Sequence, residues 1–463
     1  MNTRREALLA GLWGAGAVGL RALATGLPAW YIMNPRRANA QTLQCAVTAK
    51  DKLQYLIVSA ASNGDPINCN CPGTYLDTNA IHPQQAEAAA TAVQLGSTSF
   101  QAAQPWASTA SGGQLDPAVL TRMCFFHHMT RSTTHGDQPK VMKLQGATAG
   151  GEMMVSAYAK HLGPCFGTVQ PEPISVGAGG NATELISFEG RTLPSISPTQ
   201  LKQLLGGSNS NPLVQLRTIR DASLNELYAL AKQDGTKVQQ QFLDQFATTQ
   251  TQVRSLASQL STTLSSISSD NVAGQALAAA ALIAANVTSV VVVRIPFGGD
   301  NHTDSNLQAE ADQHVSGVQG IQAIMAALSS LSLTDKVTFA TWNVFGRNLN
   351  GLDKVTNRQG RDHYGNHSVG VMIGKNVAPG VVGGVAPLSG GTLGVSSGSL
   401  AASDIDSATG AAKTGGDIPA ADTHVAYART LGVALGIPAD VVDGDLNASA
   451  GGKVVKAALN GVG

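Results

Sequence analysis

The chain has 463 residues, which is long enough for one large domain or two domains of ordinary size. Hydrophobic residues make up 43% of the chain and aromatic residues only 5%, so its core must be built mainly from Val, Leu, Ile and Ala. Lys plus Arg and Asp plus Glu balance at 30 each, for a formal net charge of zero. This balance excludes a whole-chain electrostatic field that would favour nucleic acid or a charged membrane surface.

Residues 1–40 have the pattern of a twin-arginine signal peptide. Arg4-Arg5 precede an apolar stretch, Leu8–Trp30, and the small residues of Ala38-Asn39-Ala40 form a cleavage site. The paired arginines indicate the twin-arginine export machinery, which carries folded proteins. The alternative is a membrane anchor, but Arg21 interrupts the apolar run before it reaches the roughly 20 residues of a spanning helix. We therefore expect a periplasmic or secreted protein with no stable membrane span after leader cleavage.

Five cysteines lie after the leader, at positions 45, 69, 71, 124 and 165. An oxidising compartment permits disulfides, and an odd count leaves at least one thiol over. The close pair Cys69 and Cys71 could indicate a metal site, but a second close pair is missing from the sequence. A disulfide from this pair to a distant cysteine is the favoured interpretation.

Short apolar runs bounded by polar residues predict five buried strands. Long segments with helical periodicity separate several of them, which is typical of an α/β fold whose mainly parallel sheet is covered by helices on both faces. The predicted strands are Leu53–Ala60, Met123–Met129, Ser289–Pro296, Lys336–Trp342 and Ser368–Ile373.

The segment from about 197 to 285 has apolar residues at helical spacing and predicts a helical insertion packed against the sheet. Within it, Ala276–Ala285 is too short to span a membrane and predicts a buried helix. The Gly- and Ser-rich stretch Val381–Gly416 predicts a loop or surface hairpin, and Thr423–Leu435 predicts a closing helix.

Four clusters of acidic, histidine and hydroxyl residues adjoin predicted strands, and the carboxyl ends of strands form the ligand-binding rim of open α/β sheets. Each cluster alone has an alternative reading as a capping Asp or a loop His. Together, carboxylates and imidazoles predict a site for Zn, Mn, Ca or Mg. The clusters are Asp65, Ser132–Asp137, Asp300 with His302, and Asp362 with His363.

Several of these residues belong to longer motifs: GGDNHTD around Asp300, NVFGRNL around Gly346, and GRDHYGNHSVGVMIG around His363. With these motifs the chain resembles a bacterial family known as domain of unknown function 1501, within the alkaline phosphatase/sulfatase superfamily. Asp65 with Asn68 is similar to the family's Asp-Gly-Leu-Asn after the first strand. Thr134-His135 is similar to the Ser-His at which the superfamily usually has its nucleophile.

The resemblance implies an alkaline phosphatase-like α/β domain over residues 41–463, with a divalent metal ion as cofactor. It implies Thr134 as nucleophile beside His135, with Ser132 and Thr133 as alternative hydroxyls. The family's Glu before Phe-Gly-Arg is Val344 here, which leaves the neighbouring Asn343 as a substitute ligand and implies one metal rather than two, or a degenerate site. The implied metal ligands are Asp65, Asp300, His302, Asn343, Asp362 and His363.

Three functions remain open at this point, of which the third is a partner-dependent protein that is exported folded because it carries a metal. The first is an exported metal-dependent hydrolase of phosphate or sulfate esters, whose partner is a small anionic ester rather than nucleic acid. The second is a non-enzymatic secreted or surface protein, serving assembly or binding on a degenerate alkaline phosphatase-like fold. The first requires the Asp and His clusters to converge, whereas Val344 favours the second.

Overall fold

The computed structural model describes residue 45 and residues 49–75, 80–177, 186–206, 263–297, 300–349, 360–387, 399–447 and 450–461, together with four isolated positions between 226 and 240. The predicted signal peptide and most of the predicted helical insertion lie outside these residues. Among the described helices, none combines the length and the apolar character needed to cross a membrane.

The described residues form one large sheet and four two-stranded ribbons. The large sheet has the strand order β14-β4-β13-β10-β1-β9-β5-β8. The strands are β1 (Tyr55–Ala61), β2 (Ala90–Leu95), β3 (Thr98–Ala103), β4 (Met123–His128), β5 (Ile174–Val176), β6 (Ile186–Phe188), β7 (Arg191–Leu193), β8 (Ser195–Ile196), β9 (Val290–Val293), β10 (Val337–Asn343), β11 (Gly346–Arg347), β12 (His363–Tyr364), β13 (Ser368–Ile373), β14 (Gly380–Val382), β15 (Val385–Pro387) and β16 (Leu400–Ala402).

All five predicted strands belong to the large sheet, as β1, β4, β9, β10 and β13. Strand β13 pairs antiparallel with both β10 and β4, while the other pairings in the sheet are parallel. The sheet is therefore mixed but mostly parallel, as predicted. Because β13 runs the opposite way, the chain enters it at the edge where β1, β4, β9 and β10 end, and this edge collects the candidate site residues.

Both faces of the sheet are covered, which explains why its strands are continuously apolar rather than alternating. Ile57, Val291 and Phe339 lie on one face, in a core that includes the helices after β8 and β9. Leu56 and Val292 lie on the other face, in a core that includes the helix after β4 and the C-terminal helix. Each layer removes aliphatic surface from water, the main favourable term in folding.

The helices among the described residues are mostly short, and the sequence analysis predicts two of them, the buried helix at 276–285 and the C-terminal helix. They are α1 (Ile67–Asn70), α2 (Pro117–Leu120), α3 (Gln138–Met142), α4 (Met154–Phe166), α5 (Pro198–Gly206), α6 (Val272–Ala284), α7 (Gln308–Ser330), α8 (Thr423–Ala434) and α9 (Ala439–Gly444). Helices α5 and α6 are the described ends of the predicted helical insertion, which itself stays a prediction.

The prediction of a loop or surface hairpin at 381–416 needs correction. Strands β15 and β16 do pair as an antiparallel ribbon, but the side chains of β16 are buried. Strand β14 belongs to the large sheet, where it pairs with β4. The pairing and the buried apolar residues Val382 and Leu400 bring parts of this Gly-rich segment into the fold.

The cysteine prediction is also wrong in its pairing. The disulfide joins Cys45 to Cys165, at the end of α4. Cys69 and Cys71 are buried free thiols, as is Cys124. Burial raises the pKa of Cys71 to about 12, so this thiol stays protonated in the metal-free protein at neutral pH.

Candidate metal centre

Three side chains at the carboxyl edge of the sheet form a group that could hold a metal ion. They are His135, which follows β4, Asp300, which follows β9, and His363 in β12, and one ligand atom from each lies within 4.8 Å of the other two. Oδ2 of Asp300 lies 3.8 Å from Nε2 of His135, and Oδ1 lies 3.3 Å from Nε2 of His363. The carboxylate thus faces one imidazole with each of its oxygens.

Backbone carbonyls fix the orientation of these two imidazoles. Nδ1 of His135 lies 2.9 Å from the carbonyl oxygen of Ser62, and Nδ1 of His363 lies 2.7 Å from that of Thr133. A carbonyl oxygen only accepts, so Nδ1 donates in both rings, and in the neutral ring Nε2 carries the lone pair. Metal-binding histidines have this arrangement, because their second nitrogen donates to a carbonyl or carboxylate.

A third imidazole, that of His302, adjoins the group. Its Nε2 lies 2.9 Å from Nε2 of His363 and 3.0 Å from Oδ1 of Asp300. In a tetrahedral metal site with bonds of 2.0–2.1 Å, neighbouring ligand atoms are about 3.3 Å apart. The measured separations are close to this spacing, so the donor set fits a small cation. Three of the predicted ligands, Asp300, His302 and His363, are therefore brought together.

The protonation states suit metal binding at neutral pH. Burial lowers the pKa of His363, although its hydrogen bonds to Thr133 and Asp300 act in the opposite direction. For Asp300, partial burial by itself raises the pKa, but the hydrogen bond with His363 and the nearby charges of His302 and Arg347 outweigh it and leave the pKa below its usual value. A neutral imidazole and an ionised carboxylate are the forms that bind metals.

Arg347 ties the loop after β1 to the metal-binding group. Its guanidinium is fully buried and donates from Nη2 to the carbonyl of Asn63 at 2.8 Å and from Nε to that of Gly64 at 3.3 Å. Both Nη atoms lie 3.4 Å from Oδ1 of Asp300. In the β11–β12 ribbon, Arg347 also pairs directly with His363. Arg347 therefore orients the carboxylate of Asp300 through this ion pair.

Asp65 and Asn68, in the segment after β1, both interact with this arginine. Burial lowers the pKa of Arg347, while the carboxylates of Asp300 and Asp65 oppose the decrease. Asp65 is 3% exposed. Asn68 accepts from the backbone N–H of Arg347 at 2.9 Å and donates to its carbonyl at 2.8 Å. The loop after β1 thus supports the site through Arg347, and direct metal binding by Asp65 stays a prediction.

The loop after β4 contains an exposed threonine that is adjacent in sequence to His135 of the group. Thr134 lies between Thr133, whose carbonyl binds His363, and His135, whose ring belongs to the group. Its side chain makes no cap hydrogen bond to the 3-10 turn that follows. The helix that follows this loop, α3, has only five residues, so it offers little dipole. Ser132 is buried and donates to Asp137 at 2.8 Å.

The remaining candidates have other positions. Asp362 is exposed, and its Oδ1 accepts from the N–H of His363 at 2.8 Å and lies 3.6 Å from Nδ1 of His302. It therefore contacts the ring nitrogen of His302 that faces away from Asp300. Asn343 is buried as the last residue of β10, and its metal binding stays a prediction. Val344 packs in the core with Phe345.

Sequence reasoning gave His135 a catalytic role and missed its place in the metal-binding group. It also assigned no role to Arg347 or to Glu310. Arg347 belongs to the Phe-Gly-Arg motif that was noted, so a signal existed for it. Glu310 follows Asp300 by ten residues without any motif, and only the fold shows its ion pair with Arg361.

The comparisons with known proteins identify the family. The family described as Protein of unknown function (DUF1501) matches residues 128–403, which is more than half of the chain. No curated protein and no solved structure matches. The matched span contains His135, Asp300, His302 and His363, and so includes the candidate metal centre. The chain therefore belongs to the DUF1501 family.

Proposed function

We propose that this protein is an exported, metal-dependent hydrolase of phosphate or sulfate esters with an alkaline phosphatase-like fold. The observation that carries the proposal is the convergence of Asp300 with the Nε2 atoms of His135 and His363, whose Nδ1 atoms are fixed by carbonyls. Esters of this kind resist hydrolysis in water, and a metal with a nearby hydroxyl is an established solution to that problem.

Zinc is the metal that this donor set favours. Among the four cations that the sequence suggests, Ca and Mg prefer all-oxygen sites, whereas imidazole nitrogen suits Zn. We propose His135, Asp300 and His363 as ligands, with His302 as the fourth, since its Nε2 lies within 3.0 Å of two ligand atoms. When bound, the metal would act as a Lewis acid on the ester oxygen and on the nucleophile, which requires its coordination to expand beyond the four protein ligands, as catalytic zinc sites do in the transition state.

Thr134 is the proposed nucleophile. It is exposed, and its neighbours on both sides are fixed to the metal-binding group. Ser132 is less suited, because its hydroxyl is buried and already donates to Asp137. His135 beside Thr134 would hold the nucleophile loop against the carbonyl of Ser62.

The disulfide between Cys45 and Cys165 supports export, because disulfides persist in oxidising compartments and are rare in the cytosol. The proposed leader ends only a few residues before Cys45. Transport of a folded protein would fit a site assembled from four separate segments, since these come together only on folding. We therefore propose a periplasmic or secreted location, reached through the twin-arginine machinery.

The second candidate function is non-enzymatic binding or assembly on the same fold. It is favoured by Val344, which packs fully buried at the position where the resembling family has a Glu and cannot bind a metal. The family's description names no activity, so it favours neither candidate.

A substrate screen separates the two functions. The mature protein is stripped of metal with a chelator and tested on p-nitrophenyl phosphate, bis-p-nitrophenyl phosphate and p-nitrophenyl sulfate, with Zn, Mn, Ca or Mg added. The hydrolase proposal predicts zinc-dependent turnover of at least one ester. Stoichiometric zinc binding without turnover on any ester supports the binding or assembly function instead.

A further inference from the structure

A buried ion pair connects the segment that carries His302 with the segment that carries His363. Arg361 and Glu310 are both completely buried, and Nε of Arg361 donates to Oε2 of Glu310 at 2.6 Å. Burying two charges is costly unless both are paired and hydrogen-bonded. The pair lies between the loop that carries His302 and the loop that carries His363.

Each charge has several further partners. Oε1 of Glu310 accepts from Nδ2 of Asn70 at 2.8 Å, and Oε2 also accepts from Nδ2 of Asn301 at 2.8 Å. Arg361 donates from Nη1 to the carbonyl of Asn348 at 2.9 Å and from Nη2 to a further carbonyl at 2.6 Å. The pair therefore joins segments that follow β1, β9 and β11 with the segment that leads into β12.

The two histidine loops also contact each other through their backbones at this point. Arg361 donates its N–H to the carbonyl of Asn301 at 3.2 Å, and Gly360 donates to the carbonyl of His302 at 2.7 Å. A Cβ atom added at Gly360 would lie 2.0 Å from the carbonyl oxygen of Asn301, so only glycine allows this approach. The contact sets the separation of His302 and His363, which follow Asn301 and precede β13, respectively.

We infer that the Glu310–Arg361 pair is a positioning device for the metal centre, holding His302 and His363 at ligand spacing before a metal binds. The inference rests on the proposed function for its metal, but the positioning itself exists in the metal-free protein. Supporting residues of this kind typically contribute 10- to 100-fold to metal affinity. Neither Glu310 nor Arg361 touches the metal, so neither is a catalytic residue.

Three variants test the inference. Glu310→Gln removes the charge from the pair, and Asn301→Ala removes only the link between Glu310 and the His302 loop. Asn70→Ala is the control, because it removes a hydrogen bond of the same 2.8 Å length to the other oxygen of Glu310, together with a 3.2 Å bond to the carbonyl of Pro66, from a segment that carries no histidine of the group. Urea unfolding of each variant establishes that it is folded and how much stability it has lost.

Zinc affinity by isothermal titration calorimetry is the first measurement. We expect Glu310→Gln to weaken zinc binding about 10- to 100-fold and Asn301→Ala about tenfold, with Asn70→Ala within about twofold of the wild type. Equal affinity in the wild type, Glu310→Gln and Asn301→Ala would overturn the inference. A loss of zinc affinity in Asn70→Ala as large as that in Asn301→Ala would also overturn the inference, because the network would then contribute only to general stability.

Histidine NMR of the metal-free protein is the second measurement, and it separates failure of the inference from failure of the proposed function. In wild type and Asn70→Ala, His363 should show a single Nδ1–H tautomer, fixed by the carbonyl of Thr133. In Glu310→Gln and Asn301→Ala this signal should broaden or average. If the wild type binds no zinc but the four spectra differ in this way, the metal site is contradicted and the positioning role is retained. Identical spectra in all four proteins would contradict the positioning role.

Discussion

Nε2 of His302 and Nε2 of His363 face each other at 2.9 Å, although the two residues are 61 positions apart in the sequence. Nδ1 of His363 donates to a carbonyl, so its Nε2 carries a lone pair directed at His302 and Asp300. A carboxylate oxygen of Asp300, a second acceptor, lies 3.3 Å from Nε2 of His363 and 3.0 Å from Nε2 of His302. A bound cation would satisfy all of them together, which is the physical reason to regard the cluster as a metal centre.

The nucleophile is tested by Thr134→Ala. This change should abolish ester hydrolysis and leave the free energy of unfolding within about 0.5 kcal/mol, because the Thr134 side chain caps no helix and the residue is exposed. The measurement is turnover of the best ester from the screen, with zinc affinity followed in parallel. Thr133→Ala and Ser132→Ala are the comparisons, and full activity in Thr134→Ala with loss in either of them would move the nucleophile to that position.

The metal ligands are tested by replacing the two aspartates that face His302. Asp300→Asn should weaken zinc binding by more than about 100-fold, because it removes the charged ligand, while Asp362→Asn should weaken it only about tenfold, as an orienting partner of the imidazole. Calorimetric zinc titration measures both. Asp335→Asn, at an exposed ion pair with Arg122, is the control and should bind like wild type. A larger loss in Asp362→Asn than in Asp300→Asn would reverse the assigned roles.

Buried neutral histidines predict acid sensitivity. Burial lowers the pKa of His127 to about 4 and those of His314 and His424 to about 3, from an ordinary value of 6.5. Between the lowered pKa values and pH 6.5, these histidines bind more protons in the unfolded chain than in the folded one. The free energy of unfolding should therefore be retained above about pH 6.5 and fall toward pH 4, by about 1.4 kcal/mol per pH unit for each such histidine.

His314→Phe isolates one of these contributions. His314 lies between Trp106 and Phe297, and within the described residues neither of its ring nitrogens has a hydrogen-bond partner. The variant should show a shallower loss of unfolding free energy between pH 6 and pH 5, by about 1.4 kcal/mol, in urea titrations at the two pH values. An unchanged slope would mean that His314 is not held neutral in the folded protein.

The disulfide should stabilise the fold substantially. Cys45 and Cys165 are separated by 120 residues, and closing a loop of this length removes much conformational entropy from the unfolded chain. The double variant Cys45→Ser with Cys165→Ser should lose about 2–5 kcal/mol of unfolding free energy. Reductant should produce the same loss in wild type and none in the double variant. Wild-type stability that does not respond to reductant would contradict the bond.

The sequence was sufficient to predict the five longest strands of the sheet and the edge at which the site lies, because buried strands are apolar and ligand sites follow their carboxyl ends. It was not sufficient to predict how His363 reaches that edge. His363 precedes β13 rather than following a strand, and only the antiparallel direction of β13 brings it beside Asp300. Strand direction depends on pairing partners that are remote in sequence.

The short strands β5, β8 and β14 and the supporting network were missed for a related reason. A strand of two or three residues has too few positions to show a period, and its place is set by its neighbours in the sheet. Glu310 was missed because it is a single acidic residue in the first turn of a long helix and belongs to no motif. Its burial beside Arg361 follows from the packing of loops that are separated by about 50 residues or more in the chain.

The most direct test of the account is anomalous diffraction at the zinc edge from crystals of the mature protein grown with zinc. The account predicts a single strong peak within about 2.0–2.2 Å of Asp300 and of the Nε2 atoms of His135 and His363. Zinc-saturated crystals with no peak between these three side chains would contradict it.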